Sequence, residues 1–434
     1  MTTDFDLAVI GGGPNGATAA ALLALHSGVP AARIALMAPE FAAMRATATA
    51  AAAATEVAAD QPAELRVSAL SRASEQVLRN AGAWARLPLE RLCAYQRMRV
   101  WHESVPADGP EVLCFDAAEL AEPDLGHIVE NRAVAAAGLA SFQAQGGVVL
   151  GARVAALHTA AAATRMVTDA AEYSVRLVIG ADGAHSRVRE LLALPLDAHD
   201  YRQSAIVANV ATARPHRHTA WQRFLATGPL ALLPLFDGRC SIVWSADQAL
   251  ADELMALPAD AFAARLERAA DGVLGPMRLC SERLAVPLRR ATARRLIGPR
   301  AALVGDAAHV VHPLAGQGVN LGLLDAAALC EVLAAGALEG EDPGAARLLL
   351  RYEQQRLTHD TLMSWSMSAF NEVFARGGAF GGWFAARLLG AAGASGYLRR
   401  QFARRALGLA GELPRLAQRS AMVVATEQAR RATC

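Results

Sequence analysis

The residues with the most chemical potential fall in three short runs. The first is Gly11-x-Gly13-x-x-Gly16, which follows the apolar run Leu7-Ala-Val-Ile10 and opens a stretch of helix formers, Ala17 to Leu25. There the first glycine allows a tight turn and the second lets the backbone approach a pyrophosphate. The third lets the helix pack on the strand, with its N-terminus facing the phosphates. A bare G-x-G-x-x-G is a weak signal, but a strand before it and a helix after it read as a dinucleotide site. The second run is Gly180-Ala-Asp182-Gly183-Ala-His-Ser186-x-Val-Arg189. The third is Gly305-Asp306-Ala-Ala-His309-x-x-His312-Pro313-x-x-Gly316-Gln317-Gly318-x-Asn320. Asp306, following a strand, can accept from a ribityl or ribose hydroxyl. Gly316-Gln317-Gly318 offers N–H groups at a helix start, where negative charge is favoured. An acid is expected at the end of the second strand to hold ribose hydroxyls. That place falls near Ala38, so Glu40 is the candidate.

Each of these has a plainer reading. Asp182 can cap a helix, since Asp is a favoured cap. His309 and His312 stand at i, i+3 with no third ligand, too little for a metal; no metal is expected, and both read as structural or as pocket wall. Arg66 can be a surface charge. Trp221, Phe224 and Trp244 read as core before substrate wall, and His216-Arg-His218 reads as a solvated loop. No Ser-His-Asp set stands out, so no protein nucleophile is assigned.

Composition removes several classes. All 42 basic residues are Arg, which excludes Schiff-base chemistry and a standard P-loop. The sequence has no Glu-x-x-His, which argues against a di-iron helical bundle. Against 41 acids the net charge is +1, giving no electrostatic reason for a nucleic-acid partner. The six cysteines are scattered without a C-x-x-C pair, as suits a reducing compartment. The first six residues lack the positive region of a signal peptide, so a cytoplasmic placement is expected.

The elements that must position these residues follow from length and pattern. At 434 residues, 53% hydrophobic and 19% charged, the chain has room for two or three domains of about 100–200 residues. Leu7–Ile10, 33–37, 176–180 and 301–304 read as buried parallel strands, the last two delivering Asp182 and Asp306 at their carboxyl ends. Ser204–Val210, Pro229–Leu235 and Cys240–Trp244 read as an antiparallel sheet with a hairpin at Asp237-Gly238. Phe41–Ala63 is Ala/Thr-rich and reads as a surface loop or a loosely helical insertion. After Asn320 the chain reads as mostly helical, ending in an Arg-rich amphipathic stretch, 399–431. That stretch reads as a helix packed on the protein, with a membrane-surface helix as the alternative.

Together the motifs resemble the FAD-dependent aromatic hydroxylases of the p-hydroxybenzoate hydroxylase type. The finer resemblance is to the ubiquinone-biosynthesis hydroxylases, most of all those acting on 2-polyprenyl-6-methoxyphenol. It rests also on Arg66-Val-Ser-Ala-Leu70, Ile128-Val-Glu130-Asn131-Arg132, Trp221-Gln-Arg-Phe224 with the following strands to Trp244, and His312 to Gly322. It covers roughly residues 5 to 370.

The resemblance implies an α/β fold: a Rossmann-like FAD-binding domain with an inserted antiparallel-sheet substrate domain and a helical C-terminus. The FAD-binding domain would take 1–85, 120–192 and 292–360, the substrate domain 86–119 and 193–291, and the C-terminal helical region 361–434. It implies bound FAD, reduced by NADPH or NADH, and dioxygen adding to the reduced flavin to give a C4a-hydroperoxide. That species would hydroxylate the ring of a polyprenyl phenol. Gly11, Gly13 and Gly16 would cradle the pyrophosphate. Arg66, and with it Arg132, would reach the cofactor. Asp182 and Gly183 would serve FAD and nicotinamide binding, and Gly305 and Asp306 the ribityl chain. Pro313, Gly316, Gln317, Gly318 and Asn320 would line the flavin ring. Competing readings are a flavin hydroxylase of a soluble aromatic and a non-catalytic flavin-binding scaffold in a quinone-making assembly. A polyprenyl substrate also motivates peripheral attachment at the inner membrane or to a ubiquinone-synthesis complex.

Overall fold

The structure, a computed structural model, describes residues 4–39, 62–310, 318–357 and 412–419. The expected apolar runs form one sheet. Its order from one edge is Ile297–Gly298, Ala301–Leu303, Glu172–Gly180, Phe5–Ile10, Ile34–Met37 and Val148–Leu150. Phe5–Ile10 lies at the centre, parallel to both neighbours. Leu7, Val9, Leu36 and Ile179 are fully buried, as a sheet covered on both faces requires. Helices Pro14–His26, Asn131–Ala144 and Gly318–Leu338 supply cover; the first packs on each of the other two. The last helix is long and apolar enough to cross a membrane, but most of it is buried inside the protein.

The second sheet is larger. Its order is His309–Val310, Leu284–Ala293, Leu196–Thr212, Cys240–Asp247, Gly228–Pro234, Thr219–Leu225, Arg97–His102 and Leu113–Asp116, with Met277–Leu279 paired to the long strand. The hairpin at Asp237-Gly238 is present: Leu235 N donates to the Arg239 carbonyl at 2.9 Å, and Gly238 has φ +82°. Pairing is antiparallel as expected except between Thr219–Leu225 and Arg97–His102, which run parallel. Helices Gln248–Ala256 and Ala259–Ala269 cover one face, where Trp244, Phe262 and Leu266 share a core. Phe224 and Trp244 are core residues, 1% and 2% exposed.

A small antiparallel sheet of Val67–Leu70, Gly126–Glu130 and Cys93–Tyr95 lies between the two. Its Tyr95 and Ile128 pack with Ala220, Leu233 and Leu235 of the large sheet. A buried Arg91–Glu130 ion pair at 2.7 Å reinforces this seam, with the guanidinium 4.5 Å over the Phe236 ring. The Ala/Thr-rich insertion, apart from Pro62 and a buried Ala63, lies outside the described residues, as does the Arg-rich stretch 399–431 apart from 412–419. Residues 412–419 pack back onto the body: Leu416 N donates to Glu331 at 2.6 Å, and Arg419 pairs with Glu122 at 2.6 Å.

Candidate functional site

The parallel strands Phe5–Ile10, Glu172–Gly180 and Ala301–Leu303 end on the same side of their sheet, and a cavity of about 750 Å³ opens there. Crevices at such strand ends are where open α/β sheets bind ligands. The cavity is lined by the turn Gly11–Asn15, by Arg66, Val67 and Ser68, and by Asp182, Gly183, Asp306 and Gly318. Three runs separated by more than a hundred residues thus meet in one place.

The glycine turn shows a division of labour. Gly11 takes φ +114°, and a Cβ there would overlap the Ala181 backbone. A Cβ on Gly16 would overlap the Gly11 carbonyl, so this residue sets the helix against the turn and does not itself line the cavity. Gly13 lines the cavity with nothing within 4 Å of where its Cβ would be. Here the backbone entering helix Pro14–His26 borders open space. A group carrying two phosphates fits that arrangement.

Asp306 stands half-buried at the same cavity, and no hydrogen bond from the described residues reaches its carboxylate. Burial pushes its pKa up, while nearby His309 and Arg66 pull it down. An acceptor desolvated and left open in this way suits hydroxyl donors from a ligand. Asp182 does two things: one oxygen accepts from Val188 N at 3.1 Å, and the other is buried without a partner. The capping reading and the ligand reading are both available to it.

Support comes from Asp325, which is completely buried. It accepts from Gly305 N at 2.9 Å, His309 Nε2 at 2.6 Å and Arg356 Nε at 2.6 Å. Burial opposes its charge, but His309 and Arg356 outweigh that and hold the carboxyl well below the usual carboxylate range. His309 is therefore a structural residue. Gly305, left-handed at φ +62°, places Asp306 beside it. Asn320 is also a brace: its amide donates to the Ala69 carbonyl at 2.8 Å and accepts from Ser71 N at 2.9 Å. Those two bonds occupy the side chain expected at a flavin ring. Arg132 is exposed and outside the cavity lining, where its neighbour Asn131 stands instead. Glu40, His312, Pro313, Gly316 and Gln317 lie outside the described residues. Sequence reasoning missed Asn15, Ser68, Asn131, Arg153, His185 and Arg187, all of which line the cavity. All but Arg153 sat inside quoted runs without being singled out; Arg153 carried no signal.

Comparison with known proteins agrees with this geometry. A family model described as an FAD binding domain matches residues 4–364. The ubiquinone hydroxylase UbiL of Rhodospirillum rubrum is 38% identical, over 81% of this chain and 82% of that protein. The 3-demethoxyubiquinol 3-hydroxylase of Escherichia coli is 34% identical over 81% and 89%. The human mitochondrial ubiquinone biosynthesis monooxygenase COQ6 is 32% identical over 69% and 72%. Among solved structures, the p-nitrophenol 4-monooxygenase PnpA of Pseudomonas putida superposes with a TM-score of 0.73 over 95% of this chain and all of its own. At 19% identity that likeness speaks for the fold. The chain thus belongs to the FAD-binding-domain family of FAD-dependent monooxygenases, the family that includes the hydroxylases of ubiquinone biosynthesis.

Proposed function

We propose that this chain holds FAD in the cavity at the strand ends, takes electrons from NADPH or NADH, and uses dioxygen to hydroxylate the ring of a polyprenyl phenol on the way to ubiquinone. The observation that carries the reading is the open, half-buried carboxylate of Asp306 set beside the Gly13 turn in one cavity. When bound, FAD supplies the electron transfer and oxygen activation; the chain's work is to bind, orient and exclude water.

In this proposal the N–H groups at Gly13 and at the start of helix Pro14–His26 hold the pyrophosphate. Gly11 and Gly16 make that approach possible. Asp306 accepts from ribityl hydroxyls. Arg66, Ser68 and Asn131 offer donors along the same wall, and the unpaired oxygen of Asp182 beside Gly183 offers an acceptor. Gly305 and Asn320 position these groups from behind. Glu40, by its place just after the second strand, would hold the ribose hydroxyls, whereas the assignment of Arg132 rests on the resemblance alone and its side chain stands outside the cavity lining. By the same resemblance Pro313, Gly316, Gln317 and Gly318 would line the flavin ring, where N–H groups at a helix start would favour the negative charge of the reduced ring. The substrate class rests on the relatives, and a membrane-resident phenol supports a cytoplasmic protein working peripherally at the inner membrane.

The test is flavin absorbance during anaerobic NADPH addition, with and without a polyprenyl phenol, followed by product analysis under labelled dioxygen. The expected result is faster bleaching with the phenol and one labelled oxygen in its ring. Flavin that is bound but never reduced would overturn the hydroxylase reading. Equal turnover of a phenol lacking the tail would overturn the substrate class.

A further inference from the structure

A second cavity, of about 450 Å³, lies at strands Arg97–His102, Leu113–Asp116 and Thr219–Leu225 beside residues 214–217 and 273–274. Alternation along the strands fixes its face. Met98 and Ala220 pack with Tyr95 and Ile128, toward the small sheet. Arg99 and Trp221 are one residue on and opposite each other in register, so they stand on the other face. Trp221 there packs against the core under the two covering helices. This cavity is therefore separate from the cofactor cavity, and no residue lines both.

Its lining is one-sided in charge. Arg97, Arg99, Arg214, Arg217 and His216 contribute to it, and no carboxylate does. Arg97 is met by Asp116 at 3.0 Å. The other three guanidiniums have no acidic partner among the described residues. Arg99 donates to the Ala107 carbonyl at 2.8 Å and lies 5.2 Å from the Trp221 ring centroid, while its Nε is buried without a partner. In a chain whose net charge is +1, this is a concentrated positive field.

The backbone is committed to the arrangement as well. Arg217 and His218 are both left-handed, at φ +50° and +52°, which residues other than glycine seldom adopt. The neighbouring histidines pin that turn. His216 Nε2 lies 3.2 Å from the Leu235 carbonyl, and His218 Nδ1 lies 2.9 Å from the Ala94 carbonyl. The stretch expected as a solvated loop is instead a braced turn with His216 buried. Strain held by its surroundings in this way is characteristic of binding sites.

We propose that this cavity binds a phosphate group, recognised by the planar forks of Arg99, Arg214 and Arg217. The phosphate would come from an anionic lipid headgroup or from a soluble phosphate. The experiment uses the full chain loaded with FAD, so that the cofactor cavity is filled. One arm titrates inorganic pyrophosphate by calorimetry. The other sediments the protein with phosphatidylglycerol or phosphatidylcholine vesicles. The variant is Arg214→Gln with Arg217→Asn, because both residues are exposed and Asn tolerates the left-handed turn. Arg99→Gln is a second variant, and a thermal melt checks that each is folded. The expected result is binding in at least one arm that falls tenfold or more in the variants while flavin reduction by NADPH is unchanged. Pyrophosphate binding alone identifies a soluble ligand. Binding to phosphatidylglycerol but not phosphatidylcholine identifies a lipid headgroup. Binding in neither arm, equal sedimentation with both lipids without pyrophosphate binding, or unaltered binding by folded variants overturns the proposal.

Discussion

Replacing Asp325 with Asn tests how the site is held. The carboxylate carries no exposed surface and accepts from three donors, two of them on the side chains of His309 and Arg356. Asn preserves the volume but removes the charge, leaving the Arg356 guanidinium buried at 1% exposure opposite a neutral amide. Breaking a buried ion pair from one side costs about 3–5 kcal/mol. Losing two charge-assisted hydrogen bonds at about 1.5–3 kcal/mol each gives a similar figure. Against a typical stability of about 5–15 kcal/mol this is a large fraction. The assay is urea unfolding of the apoprotein at neutral pH. A double-mutant cycle with Arg356→Met makes it specific, because removing both charges is expected to cost less than the two single changes together. A loss below about 1 kcal/mol for Asp325→Asn, or strict additivity in the cycle, would refute the idea that a buried charge network fixes the Gly305 turn.

Other outcomes follow from the same geometry. Gly16→Ala is expected to abolish flavin retention and lower the melting temperature, because its Cβ would overlap the Gly11 carbonyl; Gly13→Ala, facing open space, is expected to fold normally and lose FAD affinity alone. Absorbance at flavin wavelengths and a thermal melt separate the two. Asp306→Ala is expected to weaken FAD binding by about 10–100-fold, the equivalent of one charge-assisted hydrogen bond, in a fluorescence titration. Because burial raises the Asp306 pKa, protonation removes that acceptor at a higher pH than for an exposed aspartate. Wild-type FAD affinity is therefore expected to fall on acidification before the fold does, and Asp306→Ala to lose that pH dependence. Asp325 has the opposite sign. Its depressed pKa contributes stability that is complete above the unfolded value of about 3.9 and is lost as pH falls below it. Acid unfolding followed by circular dichroism is expected to be steep below that pH in the wild type and shallower in Asp325→Asn.

What the sequence disclosed was governed by locality. The strand, turn and helix at Leu7–Leu25 could be read because all three glycine roles lie within six residues of one another and the apolar run is uninterrupted. The hairpin at Asp237-Gly238 was legible for the same reason. Asp182 and Asp306 could be placed at strand ends and capping foreseen for Asp182, though not that its second oxygen would stay unpartnered or that the Asp306 carboxylate would stay open. Asn131 and Arg132 show the limit of motif reading. Adjacent residues on a helix point about 100° apart, and only packing decides which faces the cavity. Asn320 lay inside a recognisable motif, yet its amide is spent on Ala69 and Ser71, a contact spanning 251 residues that no local pattern reveals. The parallel pairing of Thr219–Leu225 with Arg97–His102 was hidden likewise, since it joins segments more than a hundred residues apart. The buried His216 turn was misread because its partners are distant in sequence: Leu235 just past strand Gly228–Pro234, and Ala94 in the small sheet.

The central position of strand Phe5–Ile10 has a consequence for how the protein is made. Its first partner, Ile34–Met37, arrives almost at once, but Glu172–Gly180 on its other side comes much later; the Ser174–Asp4 hydrogen bond beside that pairing spans 170 residues. Ala301–Leu303 then pairs onto Glu172–Gly180, and only after it does the turn bearing Asp306 exist. Chains are synthesised at about 5–20 residues per second, so the strand waits roughly 9–35 s for Glu172–Gly180 to be made. During that interval Leu7, Val9 and Ile10 form an unsatisfied edge on the nascent chain. Yield in a heterologous host is therefore expected to depend on what shields this strand during translation, and slower synthesis lengthens the exposure.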